Sequence, residues 1–139
     1  MAGQDRQGLP ARQFVTFSAV GTVGFLVDAA ILYVVMSQLG AGLFGGRVIS
    51  YLVAASSTWA LNRRYTFRAR CGANRTAEWG RFLVANAVGG LVNYVTYAVL
   101  VTLHATVAAH PVIGVAVGSV AGLLFNFTAS RYVVFREAT

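Results

Sequence analysis

Asn62-Arg63-Arg64-Tyr65-Thr66-Phe67-Arg68 stands near the middle of the chain, and Ser130-Arg131-Tyr132-Val133-Val134-Phe135-Arg136 stands near its end. Laid over one another at a shift of 68 residues, the two segments match Arg63 to Arg131 and Phe67-Arg68 to Phe135-Arg136. The same shift, carried toward the N-terminus without a gap, sets Gly46 on Gly114, Ala19-Val20-Gly21 on Ala87-Val88-Gly89 and Phe14 on Phe82. The chain therefore reads as one unit written twice, each copy holding two long apolar stretches and closing in a basic-aromatic tail. A unit that crosses a membrane twice starts and finishes on the same side, so the copies are expected to run parallel about a pseudo-twofold axis along the membrane normal. Duplicated membrane units tend to place a substrate path where the repeats meet, which points to transport.

Composition supports a membrane protein. Of 139 residues, 57% are hydrophobic and 11% charged, where a soluble domain carries about 25% charged residues. The apolar residues fall in four blocks, 14–39, 48–62, 82–104 and 112–130. Crossing a bilayer takes about 20 apolar residues, within a range of roughly 17–25. Three blocks reach that range; the second is shorter and is expected to borrow Gly46, Arg47 and part of the 62–68 segment. The first block is too long for the ~7–15-residue core of a cleaved signal peptide. The single Cys71 excludes an internal disulfide.

Net charge is +7, all of it from arginine, and its placement argues against nucleic acid as partner. Arg6 and Arg12 precede the first block. Arg63, Arg64, Arg68, Arg70, Arg75 and Arg81 lie between the second and third, and Arg131 and Arg136 follow the fourth. Only Arg47 lies on the other side. By the positive-inside rule, both termini and the central loop are cytoplasmic. The expected fold is an all-α integral membrane protein of four transmembrane helices, built as two parallel two-helix repeats. It forms a single membrane domain over 1–139, with a flexible N-terminus at 1–11, repeat one at 12–68, a linker at 69–79 and repeat two at 80–136.

Candidate site residues are the polar groups that the spans carry at a cost. Asp28 is the one acid expected inside a span, and an intramembrane acid is a functional candidate by default. It could accept bonds from sugar hydroxyls or carry a proton; a paired structural role is the alternative. Arg47 is the lone external cation, suited to an anion or to simple snorkelling. Asn86 and Asn93 lie in the third span, where amides also act as interhelical glue. Span four carries Gly114, Gly118 and Gly122, then Asn126 and Ser130; span two carries Gly46, Ser50, Ala54, Thr58 and Asn62 at matching places. Four-residue spacing puts each set on one helix face. These faces could serve close packing alone. They could also meet near the pseudo-axis and flank a groove with Thr58, Asn62, Asn126 and Ser130 at its mouth. Arg63, Arg64 and Arg131 sit at helix C-termini, which favour cations, and their paired donors also match a phosphate at headgroup level. No metal-ligand spacing, phosphate loop or paired carboxylates are present, so no catalytic residue, cofactor or metal is assigned and no enzyme activity is expected.

From about residue 12 to 136 the chain resembles the GtrA-like family. The carrying motifs are Phe14, Val20-Gly21 and Phe25-Leu26-Val27-Asp28, then Arg47 with Ile49-Ser50-Tyr51, and Asn62-Arg63-Arg64-Tyr65-Thr66-Phe67. Arg81-Phe82, Asn126-Phe127 and Ser130-Arg131-Tyr132-Val133-Val134-Phe135 complete them. Tyr65 and Tyr132 stand where the family often has Trp, and Tyr132 also replaces a second arginine. The resemblance implies translocation of a polyprenyl-phosphate-linked monosaccharide from the cytoplasmic to the outer leaflet of the bacterial inner membrane, for cell-surface polysaccharide or lipopolysaccharide synthesis. The implied partners are that lipid and an external glycosyltransferase. Two alternatives stand beside it: an accessory protein that organises a polyprenyl-phosphate glycosyltransferase, and a small proton-coupled efflux transporter. Four helices are few to enclose such a headgroup, so a homo-oligomer, a dimer first, is expected.

Overall fold

In the computed structural model, residues 5–40 and 43–135 are described. They are helical almost throughout: α1 (Asp5–Gln38), α2 (Leu43–Leu61), α3 (Arg75–Leu103), α4 (Ala105–Ala109) and α5 (Pro111–Ala129). A π-helical turn follows α2 at Asn62–Thr66, and another follows α5 at Ser130–Val134. The chain divides into two compact units that part between Ala73 and Asn74.

In the first unit α1 packs along α2, and the short connection between them forces an antiparallel pair. Gly40 has φ +61°, the left-handed conformation that a helix end commonly takes and that glycine adopts without Cβ strain. The polar segment expected to precede the first span is part of α1 from Asp5 onward, with Pro10 inside the helix. The core of this unit holds Phe17, Val20, Val35, Ala54, Ala55 and Phe67.

In the second unit α3 packs along α5, with α4 bridging their far ends. The expected linker ends early, because Asn74 caps α3: its Oδ1 accepts from the Ala77 amide at 3.0 Å. Such a cap satisfies a donor that the first turn leaves orphaned. The gap between the third and fourth apolar blocks contains the one-turn helix α4. Pro111 opens α5, where its missing N–H would have had no partner.

Three helices among the described residues are long and apolar enough to cross a membrane: Pro10–Gln38, Arg75–Leu103 and Val112–Val134. The protein is thus an all-α membrane protein. Apart from the polar clusters described below, its surface is apolar: Val15, Phe25, Val84 and Val112 are each more than 60% exposed, as suits side chains that face lipid.

Candidate functional site

The turns that follow α2 and α5 have the same geometry. The Asn62 carbonyl accepts from the Phe67 amide at 2.8 Å, and the Ser130 carbonyl accepts from the Phe135 amide, also at 2.8 Å. Five-residue ladders of this kind are rare and recur at functional sites. The turn sorts its side chains. Its first and last residues face inward: Asn62 and Thr66 in one copy, Ser130 and Val134 in the other, each no more than 6% exposed. The phenylalanine that follows is buried: Phe67 meets Phe17 at a ring distance of 6.1 Å, and Phe135 meets Phe82 at 6.1 Å. Aromatic pairs of this kind contribute ~0.5–1.5 kcal/mol beyond the area they bury. Of the residues within the turns, Arg64, Tyr65 and Tyr132 are exposed, while Arg63 and Arg131 are half-buried.

Arg64 and Arg131 lie over the neighbouring rings of Tyr65 and Tyr132, at 5.7 and 5.5 Å from the centroids. Arg64 is exposed and Arg131 half-buried. Arg63 is half-buried, and its Nη2 donates to the Gly72 carbonyl at 3.0 Å. It thereby ties the turn to the segment after it, where the Cys71 thiol donates to the Arg63 and Phe67 carbonyls at 3.3 and 3.4 Å. Asn62 and Ser130 are too deep to present themselves to a ligand at the surface. Asn62 Oδ1 accepts from Thr66 Oγ1 at 2.8 Å, whereas Ser130 Oγ is buried with no hydrogen-bond partner.

The small-residue faces are occupied inside each unit. Gly24 of α1 faces Thr58 of α2, and Gly46 faces Leu32, Val35 and Met36. In the second unit Gly118 approaches Asn93 so closely that an added Cβ would lie 2.6 Å from both its backbone oxygen and Oδ1. Gly122 lies against the Gly89 carbonyl, and the Asn126 side chain fills the space over Gly89. The close-packing role of these stripes is therefore realised within the hairpins. Asn93 and Asn126 come together on the α3–α5 seam, and the buried Asn126 Oδ1 accepts no hydrogen bond. Asn86 turns back on its own helix, donating to the Phe82 carbonyl at 2.9 Å. Asp28 is half-buried on α1. Arg47 belongs to α2, but its side chain lies outside the described residues.

One buried acid escaped the sequence reading. Glu78, in the first turn of α3, is fully buried, and it lies inside the apolar helix Arg75–Leu103. Asp28 is thus not the one acid within a span. The Asn74 cap moves the start of α3 toward the N-terminus and draws Glu78 into the helix, where an acid complements the N-terminal dipole. The signal was present in the sequence, as an asparagine placed just before an acidic first turn. Close by, Arg81 Nη2 approaches the Val134 carbonyl at 3.5 Å.

The family model for the GtrA/DPMS transmembrane domain matches residues 16–135. No curated protein matches the chain. The matched range includes α1 from Thr16 onward, the rest of both hairpins and both π turns. The chain belongs to the GtrA/DPMS transmembrane-domain family.

Proposed function

We propose that the protein translocates a polyprenyl-phosphate-linked monosaccharide from the cytoplasmic to the outer leaflet of the bacterial inner membrane, without making or breaking its bonds. Family membership supports a role with glycosyl lipids. The observation that carries the proposal is the pair of π turns. Each closes a hairpin of the membrane domain and carries arginine, exposed at Arg64 and half-buried at Arg63 and Arg131, on a turn anchored by a buried phenylalanine. On this reading α2 is the fourth span. It is about 28 Å long at 1.5 Å per residue, and the π turn carries it past the ~30 Å hydrocarbon thickness. Both termini and both π turns are then cytoplasmic, which the arginine distribution supports.

In this scheme Arg63, Arg64 and Arg131 collect the phosphate inside, and Arg47 receives it outside. Asp28, Asn93 and Asn126 meet the sugar between them. Asn126 Oδ1 is a buried acceptor in want of a partner, and a sugar hydroxyl entering the seam would satisfy it. Leaving such a group unpaired costs ~1–3 kcal/mol. The membrane potential drives an anion outward by about 2.3 kcal/mol per charge per 100 mV, so outward flux needs no nucleotide. The working form is a homodimer, and a glycosyltransferase consumes the sugar outside.

The test is transfer of a labelled polyprenyl-phosphate sugar between leaflets of liposomes holding the purified protein. Wild type should move the lipid, and Asp28→Asn and the double substitution Arg63→Ala, Arg64→Ala should slow it about tenfold or more, a change of ~1.4 kcal/mol in barrier. Transfer no faster than in empty liposomes, with folded protein and several sugars, would sink the proposal in favour of the accessory role.

A further inference from the structure

A groove lies along the second hairpin. This groove, ≈490 Å³, runs between α3 and α5. Its floor is made of small residues: Ala77, Gly80 and Ala85 from α3 and Ala129 from α5. The corresponding positions of the first copy hold Leu9, Arg12, Phe17 and Leu61. Phe17 is buried there against Phe67. In the second unit Ala85 stands at that position, and Phe82 supplies the ring that meets Phe135. The walls are Val84, Val88, Val133 and Phe125. Val84 is 64% and Val133 54% exposed, so the groove is open along the side of the hairpin. Its one charged residue is Arg81, which replaces Gln13 of the first copy. Arg81 Nε is buried without an acceptor, and its one hydrogen bond is the 3.5 Å approach to the Val134 carbonyl, a distance at which such bonds are weak.

An apolar groove with one incompletely satisfied guanidinium matches a ligand that has a long hydrocarbon chain and a single anionic head. We infer that this groove holds the isoprenoid tail next to the phosphate of a polyprenyl-phosphate lipid, and that Arg81 takes the phosphate. The identity of the tail rests on the proposed function; the apolar slot and the cation rest on the hairpin itself. A phosphate oxygen would supply the acceptor that the Arg81 Nε–H lacks, and a charge-assisted bond of this kind is about twice as strong as a neutral one. The remaining tail would stay in bulk lipid, so the headgroup could move while one stretch of chain is gripped.

The experiment is equilibrium binding of radiolabelled undecaprenyl phosphate to the full-length protein in detergent, with farnesol and phosphatidylglycerol as competitors. Nothing lies within 4 Å of a Cβ added at Gly80, so Gly80→Leu should fill the groove and keep the fold. It should weaken binding about tenfold, equivalent to ~1.4 kcal/mol. Arg81→Gln, which installs the first copy's residue, should weaken phosphate binding similarly and leave competition by farnesol unchanged. Wild-type affinity in both variants would overturn the inference, as would phosphatidylglycerol competing as well as unlabelled undecaprenyl phosphate, which would make the groove a general lipid slot. Leaflet transfer by the same variants separates the two proposals. Transfer unaffected by Gly80→Leu overturns the groove and leaves translocation standing. Groove-dependent binding without any transfer does the reverse.

Discussion

At the scale of single residues, glycines of equal sequence prominence have unequal structural duties. Gly89 and Gly90 are adjacent, yet the Asn126 side chain occupies the place of a Cβ on Gly89, while nothing lies within 4 Å of one on Gly90. Gly118 is still more constrained, because part of what a Cβ would meet there is the Asn93 backbone oxygen at 2.6 Å. Overpacking of a close-fitted seam costs ~1–3 kcal/mol. Gly118→Ala should therefore lower the thermal unfolding midpoint in detergent measurably, and Gly90→Ala should change stability by no more than ~0.5 kcal/mol. Asn62 and Thr66 yield a second prediction. Their side chains bond to each other at 2.8 Å with both residues buried. Thr66→Val keeps the shape but removes the donor, and the Asn62 acceptor left behind should cost ~1–3 kcal/mol. Equal unfolding midpoints for Thr66→Val and wild type would show that another donor replaces Thr66.

At the scale of elements, the π turn joins a lipid-facing helix to a basic tail. Without the extra residue in the ladder, an ordinary helix would carry the next side chain about 100° further round. Phe67 and Phe135 would then lose the rotation that buries them. Deleting either ring from its packed position, by Phe67→Ala or Phe135→Ala, should destabilise the protein by ~3–5 kcal/mol. The same change should slow leaflet transfer, because the arginines lose their anchored turn. A Phe135→Ala protein that melts like wild type would show that the turn forms without its aromatic lock. Gly40 carries a smaller constraint of the same kind. At φ +61°, Gly40→Ala should cost ~1–2 kcal/mol, seen as a shift in unfolding midpoint with no change in lipid binding.

At the scale of the whole molecule, the question is how often the chain crosses. Three helices qualify as spans by length and apolarity; the proposed fourth, α2, holds Arg47 near its start and Ser56, Ser57 and Thr58 near its end. Four crossings put residues before and after α2 on opposite sides, and three put them on the same side. In a Cys71→Ser background, an impermeant maleimide applied to intact cells should label Gly45→Cys and His104→Cys but not Arg68→Cys. Labelling of Arg68→Cys at the same rate as Gly45→Cys would show that α2 does not cross.

The sequence alone determined the membrane class, the helical content and the family, because these depend on local quantities. Runs of apolar residues, one-sided arginine and the duplicated 62–68 motif can be read without knowing what touches what. It also marked Asn126 and the glycine stripes through their spacing on one helix face, and Asn93 as a polar amide within an apolar block. The tertiary structure decided what those residues do. Asn62 and Ser130 proved to be buried closures of π turns, the glycine faces proved to be seams within each hairpin, and Glu78 proved to be buried although it was read as part of the approach to the membrane. Even the groove of the second unit depends on contact. Ala85 and Gly80 are ordinary small residues in a sequence that has many, and only the hairpin brings them together with Phe125 and Ala129 of the facing helix around one space. Spacing along the chain specifies which side chains share a helix face, but the partner that covers that face comes from the other helix of the hairpin, so its choice is visible only when the hairpin is formed.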